Sequence, residues 1–114
     1  MTISFSAGDV VTLDFPGVTG TKRRPAVVLS SDIYNSARPD MIVGLVTNQT
    51  QDAVAVTDYL LQDWQAAGLR LPSAFRAFLV TLPRMAVASR VGTLSATDWQ
   101  EVRARVGIAF DMRW

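Results

Sequence analysis

The sequence predicts a mainly β protein: a small, highly curved antiparallel barrel with one C-terminal α-helix packed on it. Three observations lead there. Five or more short runs of β-branched and apolar residues are separated by turn residues. A single stretch, after Ser95, has convincing helical periodicity. A chain of 114 residues is long enough for one core and too short for two, so residues 1–114 are expected to form a single domain.

The first run, Gly8-Asp9-Val10-Val11-Thr12-Leu13-Asp14-Phe15, predicts a strand over 9–15, and Phe15-Pro16-Gly17 turns the chain out of it. A Gly/Thr loop then closes on Lys22-Arg23-Arg24-Pro25, where a second strand opens over 25–30. The two read as a hairpin whose mobile tip carries three consecutive cations. Asp32 to Asp40 holds Asn35, Ser36 and Pro39 and predicts a loop with one helical turn around Ile33-Tyr34. Strands are expected over 41–47, which delivers Thr47-Asn48-Gln49 at its end, and over 53–57. Asp58 to Leu71, with Trp64 and Gly68, predicts irregular structure that crosses one end of the sheet and plugs the barrel mouth with its apolar residues. A strand over 75–82, interrupted by Pro83, and a short one over 86–92 complete the sheet. In the helix, Ser95 is expected as N-cap with Asp98 as its reciprocal acidic partner. Trp99, Val102, Val106, Ala109 and Phe110 then recur on one face. Trp64, Trp99 and Phe110 are assigned to packing, and Trp114 to a dimer interface.

Composition removes several chemistries. The chain has no Cys and no His, which excludes disulfides, thiolate metal sites, a Ser-His-Asp hydrolase, a zinc enzyme and a His-pair ribonuclease. Its apolar runs fall far below the roughly 20 residues of a membrane helix, and Met1-Thr2-Ile3-Ser4-Phe5 lacks the regions of a signal peptide. A soluble, cytoplasmic protein without membrane contact is expected. Net charge is only +1, yet ten of the eleven basic residues are Arg, whose planar fork suits bidentate contact with phosphate. Residues 69 to 114 carry seven Arg against Asp98, Glu101 and Asp111. That asymmetry makes a nucleic-acid partner plausible and nothing more.

Five pieces of the chain occur together in a specific order. They are Gly8-Asp9-Val10-Val11 through Phe15-Pro16; Arg24-Pro25-Ala26-Val27-Val28-Leu29-Ser30; Val46-Thr47; Asp63-Trp64…Ala67-Gly68-Leu69…Pro72-Ser73; and Val91-Gly92-Thr93-Leu94-Ser95. Over nearly the whole chain this order and spacing resembles the MazF/PemK family of toxin ribonucleases. The resemblance implies an SH3-like barrel of the CcdB/PemK kind with a C-terminal helix, and a homodimer. It implies the toxin of a type II toxin-antitoxin system that cleaves single-stranded mRNA selectively, without metal or cofactor, leaving a cyclic phosphate and a 5′-hydroxyl. A cognate antitoxin, largely disordered, would cover the RNA groove. The family's catalytic pair, the Arg before the Pro that opens the second strand and the Thr that ends the third, matches Arg24 and Thr47. Some members use an acidic residue near the end of the strand that precedes Pro83-Arg84, and here that place holds Thr81.

Physical chemistry makes this activity reasonable for a protein without His. RNA brings its own nucleophile, the 2′-hydroxyl, so the protein has to align it, stabilise charge on the phosphoryl oxygens and manage two protons. The Arg24 guanidinium can offer two parallel N–H donors to non-bridging oxygens. Thr47 can add a hydroxyl donor, although on residues alone it would be an ordinary strand-end threonine bonding its own backbone. Lys22 and Arg23 beside Arg24 are expected to bind RNA, as are Asn48 and Gln49 as readers of base edges, and Ser73 and Arg76 on the strand lining the groove. The loops over 17–22 and 49–52 are the expected readers of the cleavage motif. Arg stays protonated and makes a poor general base, so either Asp14 or another Asp reaches the site or catalysis rests on charge stabilisation and water. Two other readings remain: a topoisomerase (gyrase)-poisoning toxin on the same fold, acting through the end of the helix, and a catalytically inactive RNA-binding barrel.

Overall fold

The structure is a computed structural model and describes residues 4–17 and 20–112. Along the chain run β1 (Asp9–Gly17), β2 (Gly20–Val28), α1 (Asp32–Ala37), β3 (Asp40–Thr47), a 3-10 turn (Thr50–Asp52), β4 (Tyr59–Leu60), β5 (Ala74–Pro83), a second 3-10 turn (Arg84–Ala86), β6 (Val87–Thr93) and α2 (Ala96–Ala109). The six strands form one sheet in the order β4-β5-β3-β2-β1-β6, and every ladder is antiparallel.

A chain-length constraint gives this sheet its curvature. β5 and β6 lie four strand spacings apart, about 19 Å in a flat sheet. Yet the three-residue turn Arg84–Ala86 joins them directly. From Pro83 to Val87 the chain can span at most about 14 Å. The sheet must therefore curl until its two sides approach each other. Register shifts in the β1–β6 ladder, between Val10 and Val11 and between Thr12 and Leu13, add the local bending this needs. No β5–β6 ladder joins the described strands, so the expected barrel is strongly curved but not closed.

Curling buries both faces of the central strands, and their alternate residues feed two cores. Val11, Leu13, Phe15, Ala26, Val28, Met41 and Val43 pack with Phe5 in one. Val10, Val27, Val46 and Phe75 pack in the other with Tyr59, Leu61, Ala67, Leu94 and Val102. Two-sided burial is why these segments read as continuous apolar runs rather than as alternating ones.

Ser95 caps α2, accepting from the Asp98 backbone N–H at 3.2 Å. The reciprocal half of the expected capping box is absent among the described residues. Instead the fully buried Asp98 carboxylate accepts from the Tyr59 hydroxyl at 2.7 Å, the Gln62 N–H at 3.0 Å and the Asp63 N–H at 2.8 Å. It thereby ties α2 to the segment that crosses the second core. That segment closes on itself, because the Leu61 N–H reaches the Ser73 carbonyl at 3.0 Å. Residues 61–73 thus form a compact Ω-loop packed by Trp64, Ala67 and Leu69. Burial first, then the bond to Asp98, pushes the Tyr59 phenol well above its ordinary range, so it remains a donor.

Four expectations need correction. Lys22, Arg23 and Arg24 do not sit on a mobile tip: β2 starts at Gly20, and they pair in register with Phe15, Asp14 and Leu13. No strand forms over 53–57; Val54 and Val56 have exposed side chains and pair with no strand, and Asp58 turns the chain by accepting from the Ala55 N–H at 3.0 Å. High β-propensity without a neighbouring strand to pair with does not make a strand. The helical turn around Ile33-Tyr34 extends to the six residues of α1, capped by Ser31 and pinned by the buried Asn35, whose amide donates to the Phe5 and Ser30 carbonyls. Phe110 is 57 % exposed at the C-cap of α2, whereas Trp64 and Trp99 pack against the core as expected. Trp114 lies outside the described residues, as do the two residues between β1 and β2.

Removing the Asp98 carboxylate leaves one hydroxyl and two backbone donors without a partner. Asp98→Ala should cost about 3 kcal/mol or more in urea unfolding, against about 1 kcal/mol for Tyr59→Phe, which deletes a single bond. Equal losses for the two variants would show that the carboxylate is not the shared anchor.

Candidate functional site

Where β2 and β3 part, the chain leaves an open cleft of about 490 Å³. Pro25 explains the parting. The β1–β2 ladder continues on both sides of it, through Val11↔Ala26 and Leu13↔Arg24, so its missing N–H falls on the β3 side. The β2–β3 ladder runs from Val28↔Val43 to Ala26↔Leu45 and stops there. Continued in the same register, the next two pairs would set Pro25 opposite Val46 and Arg24 opposite Thr47. Both Arg24 and Thr47 line the cleft.

Two walls complete it. The Ω-loop contributes Gly68, Leu69, Arg70, Leu71 and Ser73. On the hairpin side Thr12 and Ser89 line it, their hydroxyls 2.7 Å apart. Gly68 lets the loop come this close. Its φ is +89°, and a Cβ there would collide with the Val91 carbonyl oxygen, while one on Gly92 would collide with that of Ala67. The Leu69 N–H bonds the Trp64 carbonyl at 3.1 Å, and the Ser73 hydroxyl donates to the Leu71 carbonyl at 2.8 Å. These two bonds bracket Arg70.

Inside the cleft the predicted residues hold different states. Thr47 is buried, and its hydroxyl oxygen accepts from the Gln49 N–H at 3.1 Å, which leaves its own O–H available to donate. Arg24 is half-buried, and no carboxylate among the described residues lies within ion-pair distance of it. Arg23 also lines the cleft, but its Nε donates to Asp14 at 2.8 Å. That hydrogen bond, with the attraction between the two charges, holds the Asp14 carboxyl below its ordinary range and Arg23 above its own. Asn48 is exposed at the rim. Ser73 is there, with its hydroxyl proton committed to Leu71.

Other predicted residues stand apart. Lys22 is exposed opposite Phe15, and Gln49 follows Asn48 out of the cleft; neither lines it. Arg76 is turned to the buried Asp58, 3.7 Å away. Thr81 pairs with Ile42, five residues before Thr47 on β3 and so about 17 Å along the strand. A carboxylate in its place would not reach the cleft of its own chain. No Asp or Glu is among the described residues lining it. Arg70, Leu71 and the Thr12–Ser89 pair were missed. The quoted Gly68-Leu69 stretch ran up to Arg70 without including it, and only the β1–β6 register, which sets Thr12 opposite Ser89, brings those hydroxyls together.

A curved antiparallel sheet with this connectivity, a C-terminal helix and an arginine-lined cleft at a strand parting describe a class of small toxin domains. Residues 6–110 match the family described as "PemK-like, MazF-like toxin of type II toxin-antitoxin system", and the chain belongs to that family. Among solved structures it is similar to an endoribonuclease in complex with its cognate antitoxin from a mycobacterial species. The TM-score is 0.80 at 15 % identity, covering 97 % of this chain and 99 % of that one. MazF from Deinococcus radiodurans aligns with TM-score 0.77 and 26 % identity, over 97 % of this chain and all (100 %) of that one. The Mycobacterium tuberculosis toxin MazF-mt6 aligns with TM-score 0.71 and 20 % identity, over 91 % and 99 %. No curated protein matches.

Gly68→Ala should distort the loop wall, through both its positive φ and the Val91 carbonyl, and cost about 2 kcal/mol or more in urea unfolding. A loss within about 0.5 kcal/mol, the range of ordinary surface substitutions, would mean that the close approach is not tight.

Proposed function

We propose that this protein is the endoribonuclease toxin of a type II toxin-antitoxin pair, cutting single-stranded mRNA at a preferred short motif without metal or cofactor. The observation that carries this is the convergence of Arg24, with no carboxylate paired to it among the described residues, and the Thr47 hydroxyl in one open cleft. Family membership gives the chemistry its context.

The reaction is a transesterification. The 2′-oxygen of one nucleotide attacks the adjacent phosphorus, the bond to the 5′-oxygen of the next breaks, and a 2′,3′-cyclic phosphate and a 5′-hydroxyl result. One proton leaves the 2′-hydroxyl and another reaches the departing oxygen. Arg24 puts paired N–H donors on the non-bridging oxygens as charge builds there, and such a preorganised donor is typically worth about 10²- to 10³-fold in rate. Thr47, fixed by the Gln49 N–H, offers its O–H to the same phosphate. With no His in the chain and no carboxylate among the described lining residues, both protons exchange with water. Asn48, at the rim, is suited to reading a base edge next to the cut.

The likeness in fold to an endoribonuclease solved in complex with its cognate antitoxin supports the expectation of such a partner here. We assign this chain to the cytoplasm, where mRNA is found, and expect it to work as a homodimer. A topoisomerase-poisoning reading keeps one observation in its favour, since Ile108, Phe110 and Met112 are all exposed at the end of α2.

Incubation with a long single-stranded RNA in EDTA distinguishes these readings. Cuts at a recurrent motif should survive chelation and fall about a hundredfold or more in Arg24→Ala, with a clear loss in Thr47→Ala. Intact RNA, with toxicity in cells mapping to residues 108–112, would favour the poison; binding without products would mark an inactive barrel. Single-turnover rates give a separate check. Without a protein base titrating near neutrality, log rate should rise with pH from about 6 to 9 with a slope near one. A bell-shaped profile would reveal an acid–base pair in the site.

A further inference from the structure

The arginines of this protein divide sharply by what holds them. Arg23, Arg38, Arg76, Arg90 and Arg105 each lie within ion-pair distance of a carboxylate. Arg84 donates to the Asn35 carbonyl at 2.7 Å. Three of the described arginines have no such partner among the described residues: Arg24, Arg70 and Arg103. Two of those three, Arg24 and Arg70, line the same cleft, and they do so from different walls. Arg24 stands on β2, and Arg70 on the Ω-loop.

We propose that Arg70 binds a second phosphate of the RNA strand, next to the one that is cut. The proposal rests on the ribonuclease reading for what the neighbouring phosphate undergoes, but not for the binding itself. Arg70 is exposed and unpaired in a cleft that already presents a second unpaired guanidinium, which leaves it free to take an external anion. One anion would satisfy one wall. Two guanidiniums on separate walls suit two anions at a fixed separation, which consecutive phosphates of a single strand provide. Arg70 is also well placed to impose register, because its loop is not slack. The loop ends meet at Leu61 and Ser73, its start hangs on the Asp98 carboxylate, and Gly68 presses it against β6. Phosphate contacts of this kind set position and carry no sequence information. Arg70 therefore decides which linkage lies under Arg24, and base contacts elsewhere in the cleft decide which sequence.

The test measures binding separately from cutting. Affinity for a mixed-sequence single-stranded 2′-O-methyl RNA 20-mer, which lacks the nucleophile, is measured across a salt series for the intact protein and for Arg70→Ala, Arg70→Lys and Arg103→Ala. Losing one phosphate contact on a single strand should lower the slope of log affinity against log salt by about 0.7 in Arg70→Ala. Arg70→Lys should keep the slope, and Arg103→Ala should match the intact protein in both slope and affinity. On a cleavable oligomer Arg70→Ala should raise KM about five- to tenfold and change kcat by less than about threefold. On a dinucleotide, which has a single phosphate, the variant should behave like the intact protein. An unchanged salt slope in Arg70→Ala overturns the proposal. A collapse of kcat comparable to that of Arg24→Ala overturns it too, by moving Arg70 to the scissile phosphate. Should the intact protein cut no RNA at all, the ribonuclease reading fails, and the salt series still decides whether Arg70 holds a phosphate. Arg70 is exposed, so an unchanged thermal unfolding curve for each variant separates these outcomes from misfolding.

Discussion

A single buried carboxylate organises the functional half of this molecule. Asp98 sits in the first turn of α2, where the positive end of the helix dipole favours a negative charge, and it receives three hydrogen bonds from Tyr59, Gln62 and Asp63. An unpaired charge would be costly at such a site, and these three donors are what make its burial tolerable. The same three bonds fix where the Ω-loop begins. From there the chain can turn through the Ala67 and Gly68 N–H bonds to the Asp63 and Gln65 carbonyls and arrive against β6. The cleft wall that carries Arg70 thus hangs from the helix, although helix and cleft share no functional residue. Arg105 reinforces the joint from the helix side, stacked over the Tyr59 ring at 5.4 Å while it donates to the Val56 and Asp58 carbonyls.

Much of this was legible in the sequence, and the limits have identifiable causes. β1, β3, β5, β6 and α2 could be read because strongly apolar runs and a Ser95 cap are local signals. Arg24 and Thr47 as a pair came from a family pattern, and the β2–β3 register explains that pattern. Three features could not be read locally. Whether Val54 and Val56 form a strand depends on a neighbour that is not there. Whether three cations are loop or ladder depends on how far β2 pairs back along β1. The use of the Asp98 side chain depends on a loop more than thirty residues earlier in the chain. In each case tertiary context decided what propensity left open.

The charge pattern shows why net charge was uninformative. At +1 the chain is nearly neutral because eleven basic residues face ten acidic ones, and five of the nine described arginines lie within ion-pair distance of a carboxylate. Arg23 is the instructive case. By sequence it is equivalent to Arg24, and it lines the same cleft, but it alternates onto the strand face where Asp14 stands opposite. Within one cleft, a single step along the strand changes a guanidinium from free to engaged. What attracts an anion is the residual charge left after such pairing, and Arg24 and Arg70, two of the described arginines without a carboxylate partner, both line the cleft.

The proton inventory of the cleft bears on how much catalysis it can supply. Positioned general acids and bases contribute typically about 10²- to 10⁴-fold each, and no Asp, Glu or His is among the described residues that line the cleft. For the proposed transesterification, what remains is alignment of the 2′-oxygen with the phosphorus and stabilisation of charge on the phosphoryl oxygens. Both depend on fixed geometry rather than on titration. On that proposal the burden falls on the groups that would hold the strand still: the Gln49 N–H that fixes Thr47, the gap at Pro25 beside which Arg24 lines the cleft, and the loop that presents Arg70. For such a site a substitution that loosens a wall should matter as much as one that removes a donor. Effective molarity falls steeply once the reacting atoms drift by about 1 Å.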